Sequence, residues 1–195
     1  MVIVEIPQTP TARAAADLAA EAAPAYLLNH SYRAYLFGRR LVPEPDVDEE
    51  AAFVAAMIHD LGLTDAHGGA AEFADVGAEL ACRFLERRGW DRERVHLVEQ
   101  AIVRHTNLEP EQDPVHRVVQ AGAALDVAGL NLEALGRDDV LDVLAAYPRH
   151  DFTTAMRALF LAETRRHPDG SFARLEQAVT LSQRFGANPL DALAA

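Results

Sequence analysis

Apolar residues along the chain recur at the spacing of helix faces, and the breaks between runs fall at proline, glycine and aspartate. The segment VIVEI (2–6) has strand character but no hairpin partner beside it, so residues 1–10 read as an extended N-terminal arm. A helix is predicted from Thr11 to about Ala22. Pro24 opens a second, AYLLNHSYRAYLFGRR, because its fixed φ suits a first turn, and His30 falls near the middle of that helix. LVPEPDVD is a loop broken by its prolines. Asp48 is placed as an N-cap, with Glu49 and Glu50 in the first turn, where the helix dipole favours acids. The helix that follows, EEAAFVAAMIHDL, is apolar almost all round, which predicts a central position, and Gly62 is placed to end it.

A loop rich in glycine and small residues, TDAHGGAA, leads to a helix from about Phe73 to Arg88, ended by Gly89. Asp91 can cap the next, which runs to about His105. Asp113–Pro114 pairs an N-cap with a proline at the first helical position, and the helix it starts carries Val115, Val118, Val119 and Ala123 and ends near Asp126. Helices near 138–146, 151–166 and 171–185 fill the remainder, and Asn188–Pro189 opens a short C-terminal tail, 187–195. The predicted fold class is all-α, a single compact helical bundle over 11–186.

The length of 195 residues suits one such domain, and half the residues are apolar, ample for its core. With 18 Lys and Arg against 30 Asp and Glu, the net charge is −12, a field that disfavours nucleic acid and anionic membranes as partners. A small phosphorylated substrate stays open, because a bound divalent cation reverses the local potential. One cysteine, Cys82 in AELACRFL, excludes an intrachain disulfide and reads as a packing residue. The N-terminus lacks a secretory pattern, and no window approaches the roughly 18 apolar residues of a membrane span. The expectation is a soluble, cytoplasmic protein with a small-molecule substrate. The apolar faces of the late helices are also compatible with a homo-oligomer.

The chemistry concentrates at His59–Asp60, at the end of the most apolar helix. A charged aspartate there is costly to bury unless something neutralises it, and a divalent metal would. Adjacent helix positions point about 100° apart, so both side chains can reach one ion and leave its far side to other helices. His30 in LLNHSY and Asp126 in AALDVAG each interrupt apolar surroundings and are natural partners. Two imidazoles and two carboxylates suit zinc, iron or manganese, with positions left for water. The residues alone leave a second reading open: Asp60 facing solvent at a helix end, and His30 hydrogen-bonded in the core.

The order His30, then His59–Asp60 followed by LGLT, then Asp126 resembles the HD-domain superfamily of metal-dependent hydrolases. NHSYRAYLFG, AAFVAAMIHDLGLT, FADVGAELACRFLERRGW, AIVRHT, GAALDVAG and RRHPDGSF resemble its cyanamide-hydratase-like branch. The resemblance implies a helical bundle around one divalent transition metal, zinc or iron first and manganese as a further option. It implies His30, His59, Asp60 and Asp126 as the metal ligands. His105, in VRHT, is implied as a catalytic residue lining the pocket or bonding the substrate, against a helix-end histidine interacting with the dipole. His67 and His96 are available for a second ion, but neither lies in a family-like string, so one ion is expected. Asp75 in EFADVG, with Glu72 near it, is a candidate catalytic base or water-holding acid, against a plain helix N-terminal acid. Arg33, one turn from His30, is a candidate partner for an anion or for a metal ligand.

A metal held this way lowers the pKa of its water towards neutrality. In the cyanamide-hydratase-like branch, metal-bound hydroxide would add to the carbon of cyanamide or a similar nitrile, giving urea from cyanamide. His105 or Asp75 would shuttle the proton, and the pocket is expected to be tight and largely apolar. One alternative is an HD-type phosphohydrolase acting on a nucleotide or small phosphate ester, which needs cations such as Arg33 and Arg104. Another is a non-catalytic, metal-stabilised binding or regulatory domain with no open coordination position. A two-iron oxygenase requires a fuller histidine set than this sequence offers.

Overall fold

The computed structural model describes residues 5–193. Residues 2–4 of the VIVEI segment lie outside the described residues, and Glu5 to Gln8 have no regular structure. The chain then forms α1 (Pro10–Ala22), α2 (Ala25–Leu41), α3 (Glu49–Ile58), α4 (Phe73–Glu86), α5 (Arg92–Arg104) and α6 (Pro114–Ala128). It continues through α7 (Arg137–Ala146), α8 (Phe152–Arg166), α9 (Ser171–Val179), α10 (Leu181–Phe185) and α11 (Pro189–Leu193). Among the described residues there is no strand, as the apolar pattern predicts. The starts follow the capping chemistry. Asp48 accepts from the Ala51 N–H, Asp91 from Arg94 and Asp113 from Val115 and His116. No described helix is long and apolar enough to cross a membrane.

From Ala51 to Ile58 every residue of α3 is buried, so this helix runs through the main apolar core with α1, α2, α4, α5 and α6 around it. Cys82 packs half-buried against that core, and Trp90 does the same under the Arg94 guanidinium. A second, smaller cluster gathers Leu27, Phe73, Phe152, Met156, Phe160, Phe172 and Phe185. The closest helix pairing is α2 against α6. A Cβ at Gly122 would lie 1.8 Å from the Ala34 carbonyl oxygen, and one at Gly38 would lie 2.0 Å from that of Val118. The two backbones therefore touch, which sets His30 and Arg33 on α2 directly opposite Asp126 on α6. Gly122→Ala is expected to force the helices apart and to lower stability by roughly 1–3 kcal/mol, read as a drop in urea midpoint.

Three segments differ from the sequence expectation. α3 ends at Ile58 rather than at Gly62; the His59 N–H closes it on the Ala55 carbonyl, and the chain enters a 3-10 turn, Leu61–Leu63. Gly62 has another task there. A Cβ on it would sit 2.1 Å from the Phe73 carbonyl oxygen, so its absence lets the His59–Asp60 turn press against the start of α4. The single helix expected over 171–185 breaks at Thr180, which is left-handed (φ 51°), and Glu176 takes up both the N–H and the hydroxyl of Ser182. The C-terminal segment is docked as α11: Leu190 is fully buried, and Asn188 donates to the Asp126 carbonyl.

Candidate metal centre

Two helix ends build the site in the same way. His59 stands at the C-cap of α3 and His105 at the C-cap of α5, and each turns Nδ1 back onto the carbonyl three residues earlier. The distances are 2.8 Å to Ala56 and 2.6 Å to Ile102. A carbonyl only accepts, so both rings carry their proton on Nδ1 and direct an Nε2 lone pair inward. His30 reaches the same arrangement from the middle of a helix, with Nδ1 2.7 Å from the Asp126 carboxylate. The ring of His30 stacks on Phe152 at 4.8 Å, which ties the centre to the smaller core.

The inward atoms converge. His30 Nε2 lies 3.2 Å from His59 Nε2, and Asp60 Oδ2 lies 3.4 Å and 3.3 Å from these two nitrogens. His30, His59 and Asp60 each offer a ligand atom within 4.8 Å of the others, and all three residues are buried. Asp60 Oδ1 is buried with no hydrogen-bond partner, and His105 Nε2 lies 3.7 Å from it. Burial alone would push the Asp60 carboxyl up; the neighbouring His59, together with the close approach of the His30 ring, outweighs it and holds the carboxyl well below the usual range. A buried carboxylate oxygen left unpartnered beside imidazole lone pairs is costly unless a cation sits among them. The donor set fits a divalent transition metal, with room for further ligands.

Asp126 does not join this ring. Arg33 grips it with two bonds, Nε to Oδ1 and Nη2 to Oδ2, both 2.8 Å. Arg149 Nη1 adds a third at 2.7 Å to Oδ1, and His30 Nδ1 takes the outer side of Oδ2. Burial would raise the Asp126 carboxyl, but Arg33, His30 and Arg149 hold it far below the ordinary carboxylate range. The expected ligand therefore lies behind His30, where it orients that ring. Asp75 also leaves the site: it is exposed in the first turn of α4 and takes no part in the cavity wall. Glu72 caps α4 and binds Ser171. His67 lies half-buried in its loop, and His96 is exposed on Glu99.

His105 is buried, on the cavity wall and edge-on to His59 at 4.8 Å. Burial, and then His59, pull its pKa down to about 4. Arg33 is fully buried and committed to Asp126, while Arg104 is exposed and turned to Gln100 and Glu111. Sequence reasoning missed Arg149, which bonds both the side chain and the backbone carbonyl of Asp126 and is itself held by Asp191 at 2.7 Å. Its string, YPRHD, follows a helix and carries no spacing that points to residue 126; only its burial distinguishes it.

A cavity of about 560 Å³ opens from the cluster. Its walls are largely apolar, as expected, but it is roomy rather than tight. Side chains of α6, α8, α9 and α10 line it, among them Met156, Phe160, Phe172 and Phe185.

A family model described as an HD domain matches residues 27–136, a stretch that holds His30, His59, Asp60, His105 and Asp126. Two proteins of Saccharomyces cerevisiae, cyanamide hydratase DDI2 and cyanamide hydratase DDI3, are each 26% identical to the chain over 182 residues. The alignments cover 89% of this chain and 81% of each relative.

Proposed function

The chain belongs to the HD-domain family, and we propose that it is a metal-dependent hydratase that adds water to the carbon of a nitrile-type substrate. Similarity to the two yeast enzymes favours cyanamide, with urea as product. The observation that carries the reading is the convergence of imidazole Nε2 atoms on the unpartnered Asp60 carboxylate at the end of an apolar cavity. His30, His59 and Asp60 would hold one divalent ion, zinc or iron before manganese. When bound, such an ion supplies Lewis acidity and brings the pKa of water towards neutrality.

The remaining work falls to the protein's own groups. Asp126, pinned by Arg33 and Arg149, fixes the tautomer and direction of His30. His105 is unprotonated at neutral pH and presents Nε2 to the cavity. As the water oxygen bonds to the substrate carbon, one of its protons passes to His105 Nε2 and then to the substrate nitrogen, and transfer of the second proton from oxygen to nitrogen turns the isourea so formed into urea. Phosphate-ester hydrolysis is less well supported: Arg33 and Arg104 are turned to other partners, and Arg117 and Arg184 on the cavity wall are bonded to Glu44 and to the Val179 carbonyl.

Metal analysis of the purified protein and a urea assay with cyanamide, beside a panel of nucleotides and phosphate esters, test the proposal. One equivalent of metal and urea formation are expected; phosphate release without urea would overturn it. His105→Gln is expected to lower kcat by roughly 10²–10⁴-fold with metal content kept. Loss of metal together with activity would make His105 a ligand instead.

A further inference from the structure

We infer that the cavity prefers a nitrile or cyanamide bearing an apolar body, an alkyl or aryl group, over the unsubstituted molecule, which it turns over less efficiently; the reacting head of this substrate rests on the hydratase reading above. A cavity of about 560 Å³ is in the range that encloses ligands of drug size, far beyond a three-atom skeleton such as N–C–N. Besides the metal cluster, Thr106, Asn107, Arg117, Gln120, Asn131 and Arg184 border it, but most of its wall is apolar and one side is aromatic. His105 packs edge-on against Phe73 at 5.7 Å, Phe73 against Phe172 at 4.3 Å, Phe172 against Phe160 at 4.9 Å and Phe160 against Phe185 at 5.6 Å. Phe172, Phe160 and Phe185 form the cavity wall itself, with Met156 beside them.

The outer end points the same way. Among the described residues the large apolar side chains left exposed are Leu108, at 54%, and Leu130, at 42%. Both line this cavity, one on the loop after α5 and the other on the loop after α6. An apolar wall running from a metal cluster to solvent-facing leucines is matched by a substrate with its polar reacting group at one end and a hydrocarbon body behind it.

The test uses the metal-loaded protein with cyanamide and its N-alkyl series from methyl to hexyl. Affinity for the matching alkylureas, measured by calorimetry, is a second readout that needs no turnover. Both kcat/KM and alkylurea affinity are expected to climb with chain length, by up to about fourfold per methylene while the cavity fills. Ala124→Phe, on the α6 wall, is expected to cut the hexyl-to-unsubstituted ratio by about tenfold, as several methylenes lose their place. Leu130→Ser, at an exposed position where folding is not at stake, should lower the same ratio several-fold. A flat or falling series in both readouts, or ratios untouched by both variants, would overturn the inference. Rising alkylurea affinity without hydration of any cyanamide would uphold the apolar-body cavity and overturn the hydratase reading alone.

Discussion

Asp60→Ala is expected to strip the protein of its metal and to abolish turnover while leaving the helical bundle folded. Asp60 supplies the one carboxylate in the convergent set, and its Oδ1 has no other partner to lose. Removing it leaves imidazoles with no anion to balance an ion's charge. The fall in metal affinity should therefore exceed the roughly 10–100-fold that loss of an outer partner costs. Elemental analysis after gel filtration and the urea assay read the two effects together. Full activity in metal-free Asp60→Ala protein would sink the mechanism.

Asp126→Asn should behave in the opposite order, losing stability first. The substitution keeps the volume but leaves Arg33 and Arg149, both buried, facing an amide where they now face a carboxylate. Breaking a buried ionic network on one side costs roughly 3–5 kcal/mol, which in a chain of this size lowers Tm by on the order of 10 °C. Because His30 loses the acceptor that fixes its Nδ1 proton, metal affinity should also fall, by roughly 10–100-fold. Thermal unfolding without metal isolates the first effect, and a metal titration the second. A variant as stable as the parent would show that the arginines have other support.

Much of this architecture is legible in the sequence because it is written in local chemistry. Asp48, Asp91 and Asp113 each cap the helix that their position announces. The all-round apolar face of α3 sends it to the centre, and the same apolarity makes His59–Asp60 conspicuous as polar groups that need a reason to be there. What stays hidden depends on residues far apart in the chain. Asp126 is visibly a buried acid, but its partners lie on α2 and after α7, and no period connects them. The break at Thr180 puts a β-branched residue in the left-handed backbone that such residues disfavour, so no local signal announces it. Gly62 reads as a helix stop, whereas its role is to let two segments touch, which only the packing reveals.

The support behind His30 is drawn from a long stretch of chain. Asp126 answers to Arg149, Arg149 to Asp191, and the Asp126 carbonyl to Asn188. A growing polypeptide that has already released α2 to α6 from the ribosome carries His30, His59, Asp60 and His105, yet Asp126 then faces Arg33 without its second clamp. A truncation before residue 188 would keep the four site residues and remove both Asn188 and Asp191 from the support behind His30, so the C-terminal segment belongs to the centre as much as to the bundle.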